Sequence, residues 1–144
     1  MKRGFTLVEI MIVVAIVALL AAIAIPNLLR ARVNANEGAA QTTLKTLATA
    51  AESYAVANSG IYPADVEAMH SDTPPYINED YINDNSGNRQ GYHFAEDASV
   101  SAGGTGYLYQ ATPMRPGTTG SRSFSICTGA VLRDAVGEDA PDCP

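Results

Sequence analysis

Glu9 is the side chain whose position most clearly demands a chemical explanation. It is the one charge inside an apolar segment that runs from Phe5 to Ile25. At about 1.5 Å rise per residue, a helix of that length spans the hydrocarbon core of a bilayer. An ionised carboxylate in such surroundings is unfavourable unless a cation or hydrogen-bond donors face it. We therefore expect Glu9 to have a partner and treat it as a candidate functional residue.

Candidate catalytic residues elsewhere do not form a recognisable pattern. His70 and His93 are 23 residues apart with no carboxylate pattern between them, so we expect neither to be a ligand or a catalyst. The glycine-rich stretch 103–106 lacks the lysine and the strand–loop–helix context of a phosphate loop. The clustered serines lack a histidine and an aspartate in any known arrangement; they are Ser121, Ser123 and Ser125. The sequence thus predicts no enzyme, no catalytic residue and no cofactor.

Metal ligands are also not expected. The stretch 83–88 is rich in Asn and Asp, but no placement fits the D-x-[DN]-x-[DN]-G pattern of a calcium loop. An ordinary turn cluster is the favoured interpretation. The two cysteines have no nearby histidine and so do not complete a tetrahedral zinc site. We therefore predict no metal site.

The charge distribution limits the possible partners. After residue 60 there are 12 acidic and 4 basic residues, a net charge of −8 (4 minus 12). An acidic surface favours solubility and argues against a broad basic groove for nucleic acid. A local basic patch at Arg115, Arg122 and Arg133 is still compatible with the sequence. We predict no specific nucleic-acid partner.

A single long helix is predicted from Phe5 to Asn58. Pro26 ends the apolar run and should kink the helix there. Gly60 suits the left-handed position after the helix end. Beyond Pro26 a core-facing stripe recurs at helical spacing: Leu44, Leu47, Ala51, Tyr54 and Asn58, with Ala40, Ala48 and Ala55 beside them. Polar residues are expected on the other faces: Glu37, Gln41, Lys45, Thr49 and Glu52.

The rest of the chain predicts an antiparallel sheet after a long loop. Residues 64–90 are polar and rich in turn residues, with one helical turn expected around Ala64 to His70. From Gly91 the pattern has period two, which predicts four short strands. The alternating residues are Tyr92 and Phe94; Tyr107, Tyr109 and Ala111; Phe124 and Ile126; and Val131 with Arg133. The predicted fold class is α+β, a long helix packed on a four-stranded antiparallel sheet.

The first thirty residues closely resemble the N-terminus of type IV prepilins, the precursors of pilus subunits and of the pseudopilins of type II secretion. The resemblance rests on Lys2-Arg3-Gly4, on Phe5-Thr6-Leu7-Val8-Glu9, on the apolar run and on Ala24-Ile25-Pro26. It implies cleavage between Gly4 and Phe5 by a membrane aspartyl protease, followed by N-methylation of Phe5. It also implies that Glu9 meets the freed amine of Phe5 on a neighbouring subunit. That amine has a reference pKa near 8 and is largely cationic at neutral pH.

The resemblance also implies a division of the chain. Residues 1–4 form a leader, 5–25 a membrane-spanning and filament-core helix, 26–60 an amphipathic helix and 61–144 a globular head outside the cytoplasm. Disulfides persist in exported domains. Cys127 and Cys143 enclose 15 residues, and paired cysteines near the C-terminus resemble the disulfide-bounded loop of many type IV pilins. We expect these two cysteines to be bonded; two free buried thiols are the alternative.

The expected function is that of a structural subunit of a type IV pilus, serving adhesion, motility or DNA uptake. The expected partners are other copies of the chain in a helical filament, the prepilin peptidase and the inner-membrane assembly machinery. The chain is expected to cross the inner membrane once before assembly and to lie at the cell surface afterwards.

Two alternative functions stay open. The first is a major pseudopilin of type II secretion, a class that typically carries a C-terminal calcium site. The cysteine pair favours a pilin, but acidic residues near the C-terminus keep this alternative; they are Asp134, Glu138, Asp139 and Asp142. The second is a soluble periplasmic binding protein released by signal peptidase after Ala24, because Ala22-Ile23-Ala24 fits the A-x-A rule.

Overall fold

The computed structural model describes residues 4–83, 87–101 and 104–137. They fall into two units, divided between Arg32 and Val33. One helix, α1 (Leu7–Ala57), contributes to both units. The other elements belong to the second unit: α2 (Val66–Ser71), β1 (Asn88–Arg89), β2 (Tyr92–Glu96), α3 (Ala98–Ser101), β3 (Leu108–Pro113), β4 (Arg122–Cys127) and β5 (Val131–Val136).

The first unit consists mainly of the apolar part of α1. Its large hydrophobic side chains are exposed, from Leu7 at 75% to Leu28 at 71%. An 18-residue window of α1 has a mean hydropathy of 3.0, so by length and composition the helix can cross a membrane. The chain is helical on both sides of Pro26, and the kink expected there stays a prediction.

In the second unit, α1 contributes one face to a hydrophobic core. The predicted stripe is confirmed in large part, since Tyr54 packs at the edge of the core and the smaller members are buried: Ala40, Leu44, Leu47, Ala48, Ala51 and Ala55. The helix ends at Ala57, one residue before the predicted end. Gly60 is left-handed, with φ 87°, and its N–H donates to the carbonyl of Ala55 at 2.8 Å, as a helix-ending glycine does.

The sheet is an antiparallel meander in the order β1-β2-β3-β4-β5. Its register places Phe94 opposite Ala111 and Tyr109 opposite Ile126. The core-facing residues agree with the period-two pattern, since all of these are buried: Tyr92, Phe94, Tyr107, Tyr109, Ala111, Phe124 and Ile126. They share one cluster with the buried face of α1. The predicted α+β class is confirmed.

The number of strands was predicted wrongly. The sheet has five strands rather than four, because Asn88–Arg89 forms a short strand that pairs with Tyr92 and His93. Two residues are too few to produce a period-two pattern, and they lie in the stretch predicted as a loop. The predicted helical turn is present as α2, where the Asp65 side chain accepts a hydrogen bond from the Ala68 N–H at 2.7 Å. Helix α3, between β2 and β3, was not predicted.

Candidate functional site

Glu9 is held at the first turn of α1 by Thr6. The backbone N–H of Thr6 donates to Glu9 Oε2 at 2.8 Å, and the Thr6 hydroxyl donates to the same oxygen at 2.7 Å. In return the Glu9 N–H donates to Thr6 Oγ1 at 3.2 Å. This reciprocal arrangement is a capping box, in which two residues three apart satisfy backbone donors that a helix start would leave unpaired. It also explains why α1 begins at Leu7 and not at Phe5.

The capping box supplies hydrogen-bond donors, which are part of what the Glu9 carboxylate requires in an apolar segment. The hydrogen bonds from Thr6 stabilise the negative charge, and the helix N-terminus favours an anion there. Both bonds end on Oε2, and Oε1 accepts none from the described residues. Gly4 and Phe5 are exposed immediately before the cap. The expected cleavage between them, and the role of Glu9 in assembly, stay predictions.

Glu37 is a second carboxylate held by several donors, and sequence reasoning placed it wrongly. It was expected on a polar face of α1, but it is buried, with 4% of its surface exposed. Its Oε1 accepts from the Ser121 N–H at 2.8 Å and the Ser121 hydroxyl at 2.7 Å. Its Oε2 accepts from the Nε and one terminal nitrogen of Arg122 at 3.1 and 2.8 Å. Next to it, the Asn36 amide donates to the Thr119 carbonyl at 2.8 Å.

This set of contacts fastens the start of the second unit's helix to β4. Burial acts to raise the pKa of Glu37, but the hydrogen bonds from Ser121 and the Arg122 guanidinium outweigh it and hold that pKa below its usual value. Arg122 also pairs with Asp134 at 3.2 Å. The basic patch considered for Arg115, Arg122 and Arg133 is therefore not formed as three free cations, because Arg122 is neutralised by two carboxylates.

Glu52 was also expected on a polar face of α1, yet it joins three separate parts of the second unit. Its Oε1 accepts from the Gly129 N–H at 2.9 Å and from the Tyr107 hydroxyl at 3.1 Å. Its Oε2 accepts from the Tyr62 hydroxyl at 3.0 Å, and this bond raises the pKa of Tyr62. No sequence signal pointed to this role, since the three donors lie 10, 55 and 77 residues from Glu52 along the chain.

Glu96 links the sheet to α2. Its Oε2 accepts from the Val66 N–H at 3.0 Å, at the first residue of α2. Burial raises the pKa of Glu96 to about 7, helped by the nearby carboxylates of Asp65 and Asp80 and opposed by the hydrogen bond from Val66. Glu96 is therefore the described carboxylate whose charge changes near neutral pH.

The remaining predicted site residues lie in or beyond the sheet. Cys127, at the end of β4, is disulfide-bonded. Its expected partner, Cys143, lies outside the described residues, as do Glu138, Asp139 and Asp142. The pairing of the two cysteines therefore stays a prediction, to be checked by intact mass with and without reductant and alkylation. Within the described ranges, no group of three or more His, Cys, Asp or Glu side chains could hold a metal ion.

Comparison with known proteins identifies the N-terminal segment. Residues 1–25 match the family model described as the prokaryotic N-terminal methylation motif. The chain therefore carries a prepilin-type N-terminus, as its residues predicted, joined to an α+β unit.

The curated relatives compared with this chain are two pilins and a secretion protein. The chain is 53% identical over 53 residues to the type IV major pilin protein PilA of Myxococcus xanthus, covering 37% of this chain and 24% of that protein. It is 46% identical over 57 residues to the type IV wide pilus major component PilA4 of Thermus thermophilus, covering 40% and 44%.

A third relative is the type II secretion system core protein G of Vibrio cholerae, 37% identical over 70 residues and covering 49% of this chain and 47% of that protein. The chain thus matches less than half the length of each of these relatives. No solved structure gives a significant match.

Proposed function

We propose that this chain is a structural subunit of a type IV pilus, polymerised through its N-terminal helix. The carrying observation is Glu9, which lies in a segment of exposed apolar side chains. One of its carboxylate oxygens is bonded to Thr6, and the other accepts no hydrogen bond from the described residues. A surface so large and apolar requires a membrane or other apolar helices around it. The matches to two type IV pilins support this choice.

The sequence of events follows from the chemistry of the first residues. Cleavage between Gly4 and Phe5 creates a cationic amine, methylated in this proposal, next to the helix start. While the subunit lies in the inner membrane, Thr6 stabilises the carboxylate of Glu9. On assembly, the amine of Phe5 on an entering copy bonds to Glu9 Oε1 of its neighbour, so that two charges needing partners inside an apolar core satisfy each other. The rest of the apolar helix passes from lipid to the helices of neighbouring copies.

The test is the N-terminal residue of the mature protein. Mass spectrometry of subunits from the membrane and from sheared surface filaments should show a chain beginning at Phe5 with one added methyl group. A Gly4→Leu variant should accumulate uncut in the membrane and give no filaments, because the expected peptidase requires glycine at the cut. A mature chain beginning at Ile25 would instead show release by signal peptidase as a soluble periplasmic protein and end the proposal.

The second candidate is a major pseudopilin of type II secretion, favoured by the match to the Vibrio cholerae protein. One of the acidic residues that kept this candidate open, Asp134, is engaged with Arg122. The two candidates differ in their need for calcium. We expect no large rise in the melting temperature when calcium is added and no fall when a chelator follows. A large chelator-reversible rise would favour the pseudopilin.

A further inference from the structure

An open groove of about 350 Å³ runs along one face of α1 in the second unit. Lys45, Ala50 and Tyr76 line it together with four hydroxyl-bearing residues: Thr42, Thr46, Thr49 and Ser53. Each of these hydroxyls donates to the backbone carbonyl four residues earlier, at 2.8 to 3.0 Å. Since their protons are used inside the helix, these four hydroxyls offer the groove only acceptor oxygens, and the side-chain donors lining it are the Lys45 ammonium and the Tyr76 hydroxyl. The Lys45 ammonium is the one charged group lining it.

Lys45 lacks an anionic partner in the part of the chain that the structure describes. It is exposed and takes part in no ion pair there. The ion pairs among the described residues involve other cations and lie outside the groove: Arg89 pairs with Glu79, and Arg122 pairs with Glu37 and Asp134. An exposed ammonium without an anionic partner, beside a phenol O–H donor, is a site to which a carboxylate of another molecule can bind.

The same chain carries carboxylates that suit this groove, on α2. Val66 and Met69 are buried in the core, whereas Glu67 is exposed and its carboxylate makes no hydrogen bond or ion pair with the described residues. Asp72, just after α2, is exposed and accepts only from the N–H of the adjacent Thr73, at 2.7 Å. This pair of carboxylates, Glu67 and Asp72, is called the α2 acidic edge below.

We propose that the Lys45 groove receives the α2 acidic edge of a second copy of this chain. The inference rests on the proposed function, because it adds a contact between heads to the contact at Glu9. The two surfaces are complementary in charge, and within one copy they do not pair with each other. A contact between two different surfaces is heterologous, and repeated it builds an open helical array unless its rotation closes a ring. Exposed charge pairs contribute little free energy of association. The role of this contact is therefore to select the register of neighbouring heads.

Charge exchange tests the contact in the full-length chain. Filaments sheared from cells are measured against processed subunit in the membrane for wild type, for Lys45→Glu, for Glu67→Lys with Asp72→Lys, and for all three changes together. We expect each reversal alone to reduce the filament yield several-fold and the combination to restore most of it. Arg133→Glu is the matched control, because Arg133 is an exposed cation outside the groove with no ion pair among the described residues; its yield should equal wild type.

Cysteine cross-linking gives a second measurement in assembled filaments. Lys45→Cys together with Glu67→Cys should produce a ladder of covalent oligomers on a non-reducing gel. Either substitution alone should produce none. Dimers from Lys45→Cys alone would show that the groove faces its own copy and overturn the heterologous contact.

The outcomes separate this inference from the proposed function. If wild type forms no filaments, the proposed function is wrong and the inference falls with it. If wild type forms filaments and Lys45→Glu forms as many, the function stands and the groove is not a contact. If Lys45→Glu reduces filaments and the combined exchange does not restore them, the α2 acidic edge is not the occupant.

Discussion

Both hydrogen bonds that Thr6 donates to Glu9 end on one carboxylate oxygen, Oε2, at 2.7 and 2.8 Å. The cap therefore uses one oxygen of the carboxylate, and within the described part of the chain the other oxygen is left to accept from an incoming amine. Thr6 orients Glu9 and at the same time depends on it, since the Glu9 N–H donates to the Thr6 hydroxyl. Thr6, proposed to stabilise the carboxylate in the membrane, and Glu9, proposed to act in assembly, thus form one structural unit.

Removing the two halves of this unit should have different consequences. Glu9→Leu should be exported and cut, because the cut lies five residues upstream, but its filament yield should fall sharply since the incoming amine finds no carboxylate. Thr6→Val removes one donor to Oε2 and keeps the side-chain shape, so its filament yield should fall less. The measurement is sheared filament relative to processed subunit. Normal filaments from Glu9→Leu would show that Glu9 is not the assembly partner.

Glu37 should contribute strongly to the stability of the second unit. Glu37→Ala leaves the Ser121 donors and the Arg122 guanidinium without this acceptor. A hydrogen bond to a charged group contributes about 1.5 to 3 kcal/mol. We expect the free energy of unfolding to fall by about 2 to 3 kcal/mol, since Arg122 keeps Asp134 and some solvent. Thermal unfolding of the full chain in detergent, followed by near-UV circular dichroism, measures this. Glu67→Ala, which removes an exposed carboxylate, is the control and should leave the melting temperature unchanged.

The pH dependence of stability near neutrality should come largely from Glu96. Its folded pKa of about 7 lies above the unfolded value for glutamate of about 4.3. A raised folded pKa means that the stabilisation is complete below pH 4.3 and is lost as the pH rises through 7. Glu96→Gln keeps an acceptor for the Val66 N–H and should remove this slope, gaining stability relative to wild type at pH 8 compared with pH 5.

The measurement must separate the effect of Glu96 from that of the other titrating groups. Glu37 has a lowered pKa, so its contribution has the opposite sign and is lost only as the pH falls below about 4.3. The informative quantity is the difference between wild type and Glu96→Gln, because every other group is common to the two proteins. Glu67→Gln should keep the wild-type slope. Equal slopes in wild type and Glu96→Gln between pH 5 and 8 would contradict the assignment.

Gly120 and Gly38 should respond oppositely to the same substitution. A Cβ at Gly120 would overlap the phenol of Tyr92, whose hydroxyl donates to the Arg122 carbonyl at 2.7 Å. Gly120→Ala should therefore lower the melting temperature by displacing a buried ring. Gly38 lies inside α1 with open space around its Cβ position, so Gly38→Ala should stabilise the chain by about 0.5 to 1 kcal/mol. A destabilised Gly38→Ala would mean that its face of α1 is packed in a way the structure does not show.

The fold was largely predictable because its main features repeat along the sequence. The stripe from Leu44 to Ala55 follows the helical period, and Tyr107, Tyr109 and Ala111 follow the strand period, so a local window reveals both. Glu37 and Glu52 were misplaced for the opposite reason. A charged residue is normally assigned to solvent, and the groups that receive these two, such as Ser121 and Gly129, lie 84 and 77 residues away. Contacts of that kind are decided by tertiary structure and have no local period.

The two carboxylate networks on α1 have a mechanical consequence. Glu37 fastens α1 to β4, and Glu52 fastens it to Tyr62, Tyr107 and the turn before β5. Fifteen residues separate them, about 22 Å along the helix axis. Tension applied along this stretch of helix loads both attachments in shear, because the force runs parallel to the helix axis. A subunit attached in this way should yield abruptly at one threshold force and not in successive small steps.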